Sequence, residues 1–237
     1  MQTEQFLLTA AERRLDVLTL RPDAPGRHPV AVLVAGSRSG AEVWRGWGAQ
    51  LVAQGIAVVG VAQPGFGAST GAWDFAGPAT LAALDALLVW VRRQPWVKPL
   101  RVGFGGYSSG ATCAALLAAR HAFCHVLVGA AGVYDLGGWW DERAQRSSWA
   151  LSDLDAGVTA AALAQRSPIA VAAQIRCPVR LIHGANDDVV PVAQAEAFAA
   201  ALAAAGNAPT LLVEAGRGHA ALPAALFVAG FVQGLGE

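Results

Sequence analysis

One serine, one aspartate and one histidine are the residues of this sequence best placed to do chemistry together. Ser108 is the centre of a pentapeptide, Gly106-Tyr107-Ser108-Ser109-Gly110, which follows a strand-like run and precedes an alanine-rich helical run. A serine hydroxyl is a weak nucleophile until a base takes its proton and an acid orients that base. Small residues around Ser108 are typical of a sharp strand-to-helix turn, although an ordinary glycine-rich turn is the competing interpretation.

The acid and the base are each predicted just after a strand. Asp187 follows a predicted strand at residues 179–182, with Asp188 as a near alternative, and His219 follows a predicted strand at residues 210–213. Open sheets of parallel strands form their ligand crevices at the carboxyl ends of the strands. The sequence therefore predicts that the three groups meet at one sheet edge. A capping aspartate pair and a solvated loop histidine are the competing interpretations.

Acyl transfer also needs hydrogen-bond donors for the oxyanion that develops on the substrate. The backbone N–H of Ser109, the residue after the nucleophile, is predicted to be one donor. The second is expected from the loop after the strand at residues 30–35, where Gly36 would let the backbone approach the substrate. Within that loop the N–H of Ser37 is preferred, with Arg38 as the alternative.

Apolar runs alternate with helical patterns along the whole chain, which predicts an α/β fold. Helices are expected around residues 44–54, 80–93, 111–119, 193–205 and 222–231. The predicted strands are residues 6–9, 15–20, 30–35, 56–61, 100–105, 125–129, 179–182 and 210–213. We expect a mostly parallel sheet of about eight strands with helices on both faces, in a single domain over residues 1–237. Residues 134–176 interrupt the alternation of strands and helices and are predicted to form a cap-like insertion over the site.

Composition narrows the class of protein. The 237 residues are 54% apolar and 14% charged, so much of the chain is expected to be buried. The formal net charge is zero, and the lack of a basic stripe argues against nucleic-acid binding. Neither a membrane span nor a signal peptide is expected. The three cysteines lack the spacing of metal ligands and fit a reducing, cytoplasmic location.

These motifs resemble those of the α/β-hydrolase superfamily, and more narrowly of dienelactone-hydrolase and prolyl-oligopeptidase-type catalytic domains. The resemblance covers about residues 15 to 235 and rests on three stretches. These are the pentapeptide at 106–110, the run His183-Gly184-x-x-Asp187-x-x-Val190-Pro191, and His219. It implies the α/β-hydrolase fold and a Ser108-Asp187-His219 triad, with neither a metal nor an organic cofactor.

The sequence departs from the family pattern at three places. Ala35 precedes Gly36 where relatives carry a histidine, and Ala111 replaces a further glycine after the pentapeptide. The turn at residues 62–65 has no aspartate where many relatives place one. None of these changes removes a catalytic group, but the first makes the second oxyanion donor harder to assign.

Substrate contacts are harder to predict than the triad. Trp139 and Trp140 in the insertion, together with Tyr107 and Arg38, are candidates for an apolar pocket and for recognition of a substrate carboxylate. Packing or solvated surface positions are the competing interpretations. The further candidates are Trp44 and Trp47 just past the oxyanion loop, Trp73, Trp149, Arg143 and Arg146.

The sequence thus predicts a serine hydrolase that cleaves small-molecule carboxylic esters through an acyl-enzyme, acting as a monomer or homodimer. A peptidase or amidase, a thioesterase and an acyltransferase are alternatives on the same triad. A non-catalytic ligand-binding protein that has kept the fold is the alternative of another class.

Overall fold

Eight strands form one sheet in the order β1-β2-β4-β3-β5-β6-β7-β8. The computed structural model describes residues 1–144 and 158–236; Arg146 and Trp149 lie outside these ranges. The strands are β1 (Gln2–Ala10), β2 (Arg13–Arg21), β3 (His28–Val34), β4 (Ala57–Val61), β5 (Val97–Tyr107), β6 (Cys124–Ala130), β7 (Val179–Gly184) and β8 (Thr210–Glu214). β2 runs antiparallel to both β1 and β4, and all other neighbouring strands are parallel. This is the mostly parallel sheet that the sequence predicts.

Helices connect the strands and cover both faces of the sheet. They are α1 (Arg45–Ala53), α2 (Pro78–Arg92), α3 (Ser109–Arg120), α4 (Leu136–Ala144), α5 (Ala160–Gln165), α6 (Ala193–Ala204) and α7 (Ala224–Leu235). Short 3₁₀ helices span Ala41–Trp44 and Pro168–Gln174. Within residues 1–144 and 158–236, no helix is both long and apolar enough to pass through a membrane.

The core is divided by the sheet because side chains of a strand alternate between its faces. In β3, Val30, Val32 and Val34 pack with α2, α3 and α6 on one face. Ala31 and Leu33 pack with α1 and α7 on the other. Strands buried on both faces carry continuous apolar runs, which is why the central strands are easy to recognise in the sequence.

Two helices begin earlier in the chain than predicted. α2 begins at Pro78, earlier than expected, because Asp74 accepts hydrogen bonds from the N–H groups of Gly77 (3.1 Å) and Ala79 (3.0 Å). These bonds satisfy N–H groups that an isolated helix start leaves unpaired. α3 begins directly after Ser108, earlier than the predicted start at residue 111.

A third apolar cluster lies under the described part of the predicted insertion. Trp73 stacks on Phe75 with ring centres 4.7 Å apart, and Trp139 of α4 meets Phe75 edge-on at 5.6 Å. Val190, from the loop after β7, packs into the same cluster. The cluster therefore joins the insertion to the loop that carries Asp187.

Candidate active site

Ser108 is the only residue between the end of β5 and the start of α3, and its backbone is strained. Its φ of 54° and ψ of −126° are angles that residues with a Cβ rarely adopt. A Cβ on Gly106 would lie 2.6 Å from the backbone nitrogen of Ala111, and one on Gly110 would lie 2.7 Å from the Ala35 carbonyl oxygen. Both contacts are too close, so the sharp turn needs glycine at these two positions, as the sequence predicts.

The structure brings Ser108, His219 and Asp187 together. His219 Nε2 lies 3.1 Å from Ser108 Oγ, and His219 Nδ1 lies 2.7 Å from Asp187 Oδ2. With the proton on Nδ1 donated to the carboxylate, Nε2 is left to accept the serine proton. Asp188 has an exposed side chain, so the geometry favours Asp187 over the alternative acid.

The Asp187 carboxylate is buried but remains ionised. Burial alone would raise its pKa, but hydrogen bonds from His183 and His219 and from the Val190 N–H outweigh this effect, and the net pKa is lowered. The N–H groups of Val189 and Val190 donate to Oδ1 at 3.0 and 2.8 Å. A charged carboxylate at Nδ1 favours the imidazolium that His219 becomes when it takes a proton.

His183 shapes the loop that carries the acid. Its fully buried Nε2 lies 2.8 Å from the Val190 carbonyl oxygen and 3.3 Å from Asp187 Oδ2. Because a carbonyl oxygen can only accept, Nε2 must carry the proton, and Nδ1 has no hydrogen-bond partner in the described parts of the chain. The ring therefore holds both ends of the short turn from Asp187 to Val190.

The loop after β3 lies against Ser108, where a second oxyanion donor would have to be. A Cβ built on Gly36 would lie 3.4 Å from Ser108 Cβ and 3.2 Å from the Tyr107 carbonyl oxygen. Among the described residues, neither the Ser37 N–H nor the Ser109 N–H has a hydrogen-bond partner. Arg38 has an exposed side chain and a φ of 61°. Gly36 and Ser109 both adjoin Ser108, and the assignment of the Ser37 and Ser109 N–H groups as oxyanion donors stays a prediction.

Gln63 supports this region and is missed by the sequence analysis. It is fully buried and donates from Nε2 to the Ala35 carbonyl oxygen (2.7 Å) and to Ser109 Oγ (2.8 Å). Its Oε1 accepts from Trp73 Nε1 at 3.1 Å. Gln63 therefore ties both predicted oxyanion segments to the end of β4. The signal available in the sequence was a polar residue directly after a buried strand, in the turn that lacks the usual aspartate.

A cavity of about 250 Å³ opens beside the candidate triad. It is lined by Gly36, Ser39, Val43, Trp44, Trp47, Tyr107, Ala220 and Leu222. Tyr107 immediately precedes Ser108, and its ring centre lies 5.3 Å from that of His219. Of the residues considered for substrate contact, the structure places Tyr107, Trp44 and Trp47 in this wall.

Trp139 and Trp140 are placed differently from Tyr107. Trp139 is buried in the third apolar cluster and donates from Nε1 to the Val189 carbonyl oxygen at 3.3 Å. Trp140 is half-buried against the same cluster. Neither lines the cavity beside Ser108, and any contact of theirs with substrate stays a prediction.

No group of three or more His, Cys, Asp or Glu side chains within residues 1–144 and 158–236 is arranged to hold a metal ion.

Cys113 lies on α3, is buried, and donates a hydrogen bond to Gln63 Oε1 at 3.5 Å. Burial raises its pKa, so the thiol stays protonated and packs as a small apolar side chain.

Solved structures of similar fold include a peptidase and another hydrolase. A puromycin-hydrolyzing peptidase from Mycobacterium tuberculosis aligns with a TM-score of 0.79 and 21% identity over 99% of this chain and 39% of its own. The 2,6-dihydroxy-pseudo-oxynicotine hydrolase aligns with a TM-score of 0.80 and 21% identity over 98% of this chain and 68% of its own. Est1E from Butyrivibrio proteoclasticus aligns with a TM-score of 0.79 and 14% identity over 98% of this chain and 99% of its own. These likenesses show the α/β-hydrolase fold.

The sequence itself matches a family profile. Residues 45–226, well over half of the chain, match the prolyl oligopeptidase family. The chain spans 39% of the length of the puromycin-hydrolyzing peptidase. No curated protein matches the sequence significantly. The profile match shows that this chain belongs to the prolyl oligopeptidase family, and its fold is that of the α/β hydrolases.

Proposed function

We propose that the chain cleaves carboxylic esters of small molecules with Ser108 as the nucleophile. The observation that carries the proposal is the continuous chain of contacts from Ser108 Oγ through His219 to Asp187, at 3.1 and 2.7 Å. A nucleophile, a base and an orienting acid in these contacts are what acyl transfer requires.

In the proposed acylation step, His219 Nε2 takes the proton from Ser108 Oγ while Oγ bonds to the carbonyl carbon. The negative charge moves to the carbonyl oxygen, which the N–H groups of Ser109 and Ser37 stabilise. The carbon–oxygen bond to the alcohol then breaks, and the alcohol oxygen leaves with the proton from His219.

Water completes the proposed cycle. His219 Nε2 takes a proton from water, whose oxygen bonds to the acyl carbon of the acyl-enzyme. When the bond to Ser108 Oγ breaks, Oγ recovers the proton and the carboxylic acid is released. Asp187 stays ionised throughout and holds the ring in one orientation. The reaction as proposed uses no cofactor.

The test is hydrolysis of p-nitrophenyl acetate by Ser108→Ala and His219→Ala. We expect each substitution to lower kcat by about 10⁴-fold or more, since members of a triad act as a unit. His28→Ala is the matched control, because His28 is a half-buried residue at the start of β3 and bonds to the Ala24 carbonyl oxygen at 3.1 Å. A fluorophosphonate probe should label the wild-type protein and His28→Ala at Ser108. Full activity of Ser108→Ala would overturn the proposal.

A peptidase is the second candidate, favoured by the family match over residues 45–226. Comparing kcat/KM for short esters with kcat/KM for matched aminoacyl amides separates the two activities. Adding an alcohol acceptor tests for acyl transfer. Cytoplasmic location and a monomer or homodimer stay predictions of the sequence, which cell fractionation and light scattering would test.

A further inference from the structure

The cavity beside Ser108 is formed by two loops, the 3₁₀ helix Ala41–Trp44, the start of α1 and the end of β5. Gly36 and Ser39 come from the loop after β3, and Ala220 and Leu222 from the loop after β8. The side chain of Tyr107, next to the nucleophile, contributes to the same wall. We call this space the aromatic cavity.

Three of the eight described residues that line the aromatic cavity carry aromatic rings. Trp44 and Trp47 meet with ring centres 5.8 Å apart, and Trp47 lies edge-on to Tyr107 at 6.2 Å and 87°. No charged side chain is among the described residues that line the space. Moving an unpaired charge into such a setting is costly, so an ionised group is disfavoured there. A flat apolar ring, by contrast, can make the edge and face contacts that aromatic walls favour.

The position of the aromatic cavity relative to His219 indicates which part of an ester it would hold. In ester cleavage the protonated base must reach the leaving oxygen, so the alcohol lies on the side of His219. Ala220, the next residue after His219, lines the cavity. The Tyr107 ring, 5.3 Å from the His219 ring, forms the wall between the histidine and Trp47.

We infer that the aromatic cavity binds the alcohol part of the ester, and that this alcohol is neutral and carries one aromatic ring. The inference rests on the proposed function. At about 250 Å³ the cavity is smaller than the roughly 300–1,000 Å³ that holds a drug-sized molecule, which suits a single ring. As the ester bond breaks, the alcohol oxygen takes the proton from His219 Nε2 and the aryl alcohol leaves from the cavity.

The test compares three esters that place the ring differently: methyl acetate, benzyl acetate and methyl phenylacetate. Methanol and benzyl alcohol are of nearly equal acidity, so their acetates differ mainly in what the alcohol contacts. We expect kcat/KM for benzyl acetate to exceed that for methyl acetate by about 10-fold or more, as one well-buried group can provide. The kcat/KM for methyl phenylacetate should exceed that for methyl acetate by a smaller factor.

Val43→Trp then tests the location. Val43 lies on the rim with 47% of its surface exposed, so a larger side chain can fill the cavity without disturbing the core. We expect the ratio of kcat/KM for benzyl acetate to that for methyl acetate to fall about 10-fold. Val89→Trp on α2, at a valine of similar exposure (50%) on the other face of the sheet, should leave the ratio unchanged.

Two different results would overturn the inference. The alcohol assignment is rejected if the protein hydrolyses esters without a preference for benzyl acetate. It is also rejected if Val43→Trp lowers kcat/KM for methyl phenylacetate alone. Either result leaves the proposed function standing. Absence of turnover for all three esters, with no fluorophosphonate labelling of Ser108, rejects the proposed function and this inference with it.

Discussion

At the scale of single residues, the Asp187 carboxylate carries the most interactions of the candidate site. The backbone N–H groups of Val189 and Val190 hold Oδ1, while His219 and His183 approach Oδ2 at 2.7 and 3.3 Å. Its side chain is fully buried. These donors favour the charged form over the neutral acid, so the carboxylate both orients His219 and stabilises the fold.

Asp187→Asn should therefore lower both activity and stability. We expect kcat to fall about 10³–10⁴-fold, because an amide no longer selects the proton position on His219. Loss of the charge-assisted hydrogen bonds should lower the free energy of unfolding at pH 7 by about 2 kcal/mol. Asp188→Asn, at the exposed neighbour, is the control and should keep its activity.

The stability effect of Asp187→Asn should also depend on pH in one direction. Folding lowers the pKa of Asp187, so the ionised group contributes its full stability above the usual carboxylate range. That contribution is lost as the pH falls below about 4 towards the lower folded-state pKa. Urea unfolding of both proteins from pH 7 to pH 3 should show the difference shrinking below pH 4. A difference that stays constant to pH 3 would contradict the assignment.

At the scale of elements, the close approach of α3 to the end of β3 positions Ser108. Gly110 lies so near β3 that a Cβ would be 2.7 Å from the Ala35 carbonyl oxygen. Since that carbonyl is already bonded to Gln63, it is not free to move away from a new methyl group. Helix, strand end and Gln63 thus act as one unit.

We expect Gly110→Ala to lower the free energy of unfolding by at least about 2 kcal/mol because the added methyl group overpacks this contact. Gly46→Ala in α1 is the matched control, since no atom lies within 4 Å of a Cβ built there. Alanine should be neutral or stabilising by up to about 1 kcal/mol at Gly46, as in an ordinary helix. Equal stability of the two variants, measured by thermal unfolding, would show that the approach is looser than described.

The elements of the sheet could be predicted because their sequences carry local signals. β3 and β4 are short apolar runs, and the pentapeptide marks the turn after β5. β1 was predicted to begin at residue 6 but begins at Gln2. Its first residues are polar and show no apolar pattern, and they join the strand because they pair with β2, beginning with Gln2 opposite Arg21. Backbone pairing between separate segments cannot be recognised from the sequence of one strand alone.

The contact of Ser108, His219 and Asp187 could be predicted from their order along the chain, whereas the shape of the cavity and the role of Gln63 could not. Trp44 and Trp47 line the cavity because the 3₁₀ helix Ala41–Trp44 and α1 meet the loop after β8 in space. The sequence named these two tryptophans and those of the insertion as equal candidates, yet Trp139 is buried in the third apolar cluster. Aromatic residues in a core and in a binding wall look alike in the sequence.

At the scale of the whole molecule, α7 completes the core far along the chain from the strands it covers. Phe231 is fully buried, and Cβ atoms on Gly103 and Gly105 of β5 would lie 3.0 Å or less from its ring. The glycines of β5 therefore leave the space that this phenylalanine fills. The last helix is tied to the strand that leads directly into Ser108.

Phe231→Ala should lower the free energy of unfolding by about 3–5 kcal/mol, because it leaves a large cavity at the centre of the sheet. The protein that remains folded should still be labelled at Ser108 by a fluorophosphonate. Gln233→Ala, at an exposed position of the same helix, should change stability by less than about 0.5 kcal/mol. A cost below 1 kcal/mol for Phe231→Ala would place the ring outside the core.

The positive φ of Ser108 has a consequence for how this sequence can evolve. A residue with a Cβ in that conformation costs the fold about 1–3 kcal/mol, whereas glycine adopts it freely. Some serine codons are a single nucleotide change from a glycine codon, so mutation has a short route to a more stable protein. A lineage with no use for the hydroxyl would be free to take that route. Serine at this turn therefore makes the fold less stable than glycine would. Natural selection for the chemistry of the hydroxyl can explain why serine is kept there, whereas packing cannot.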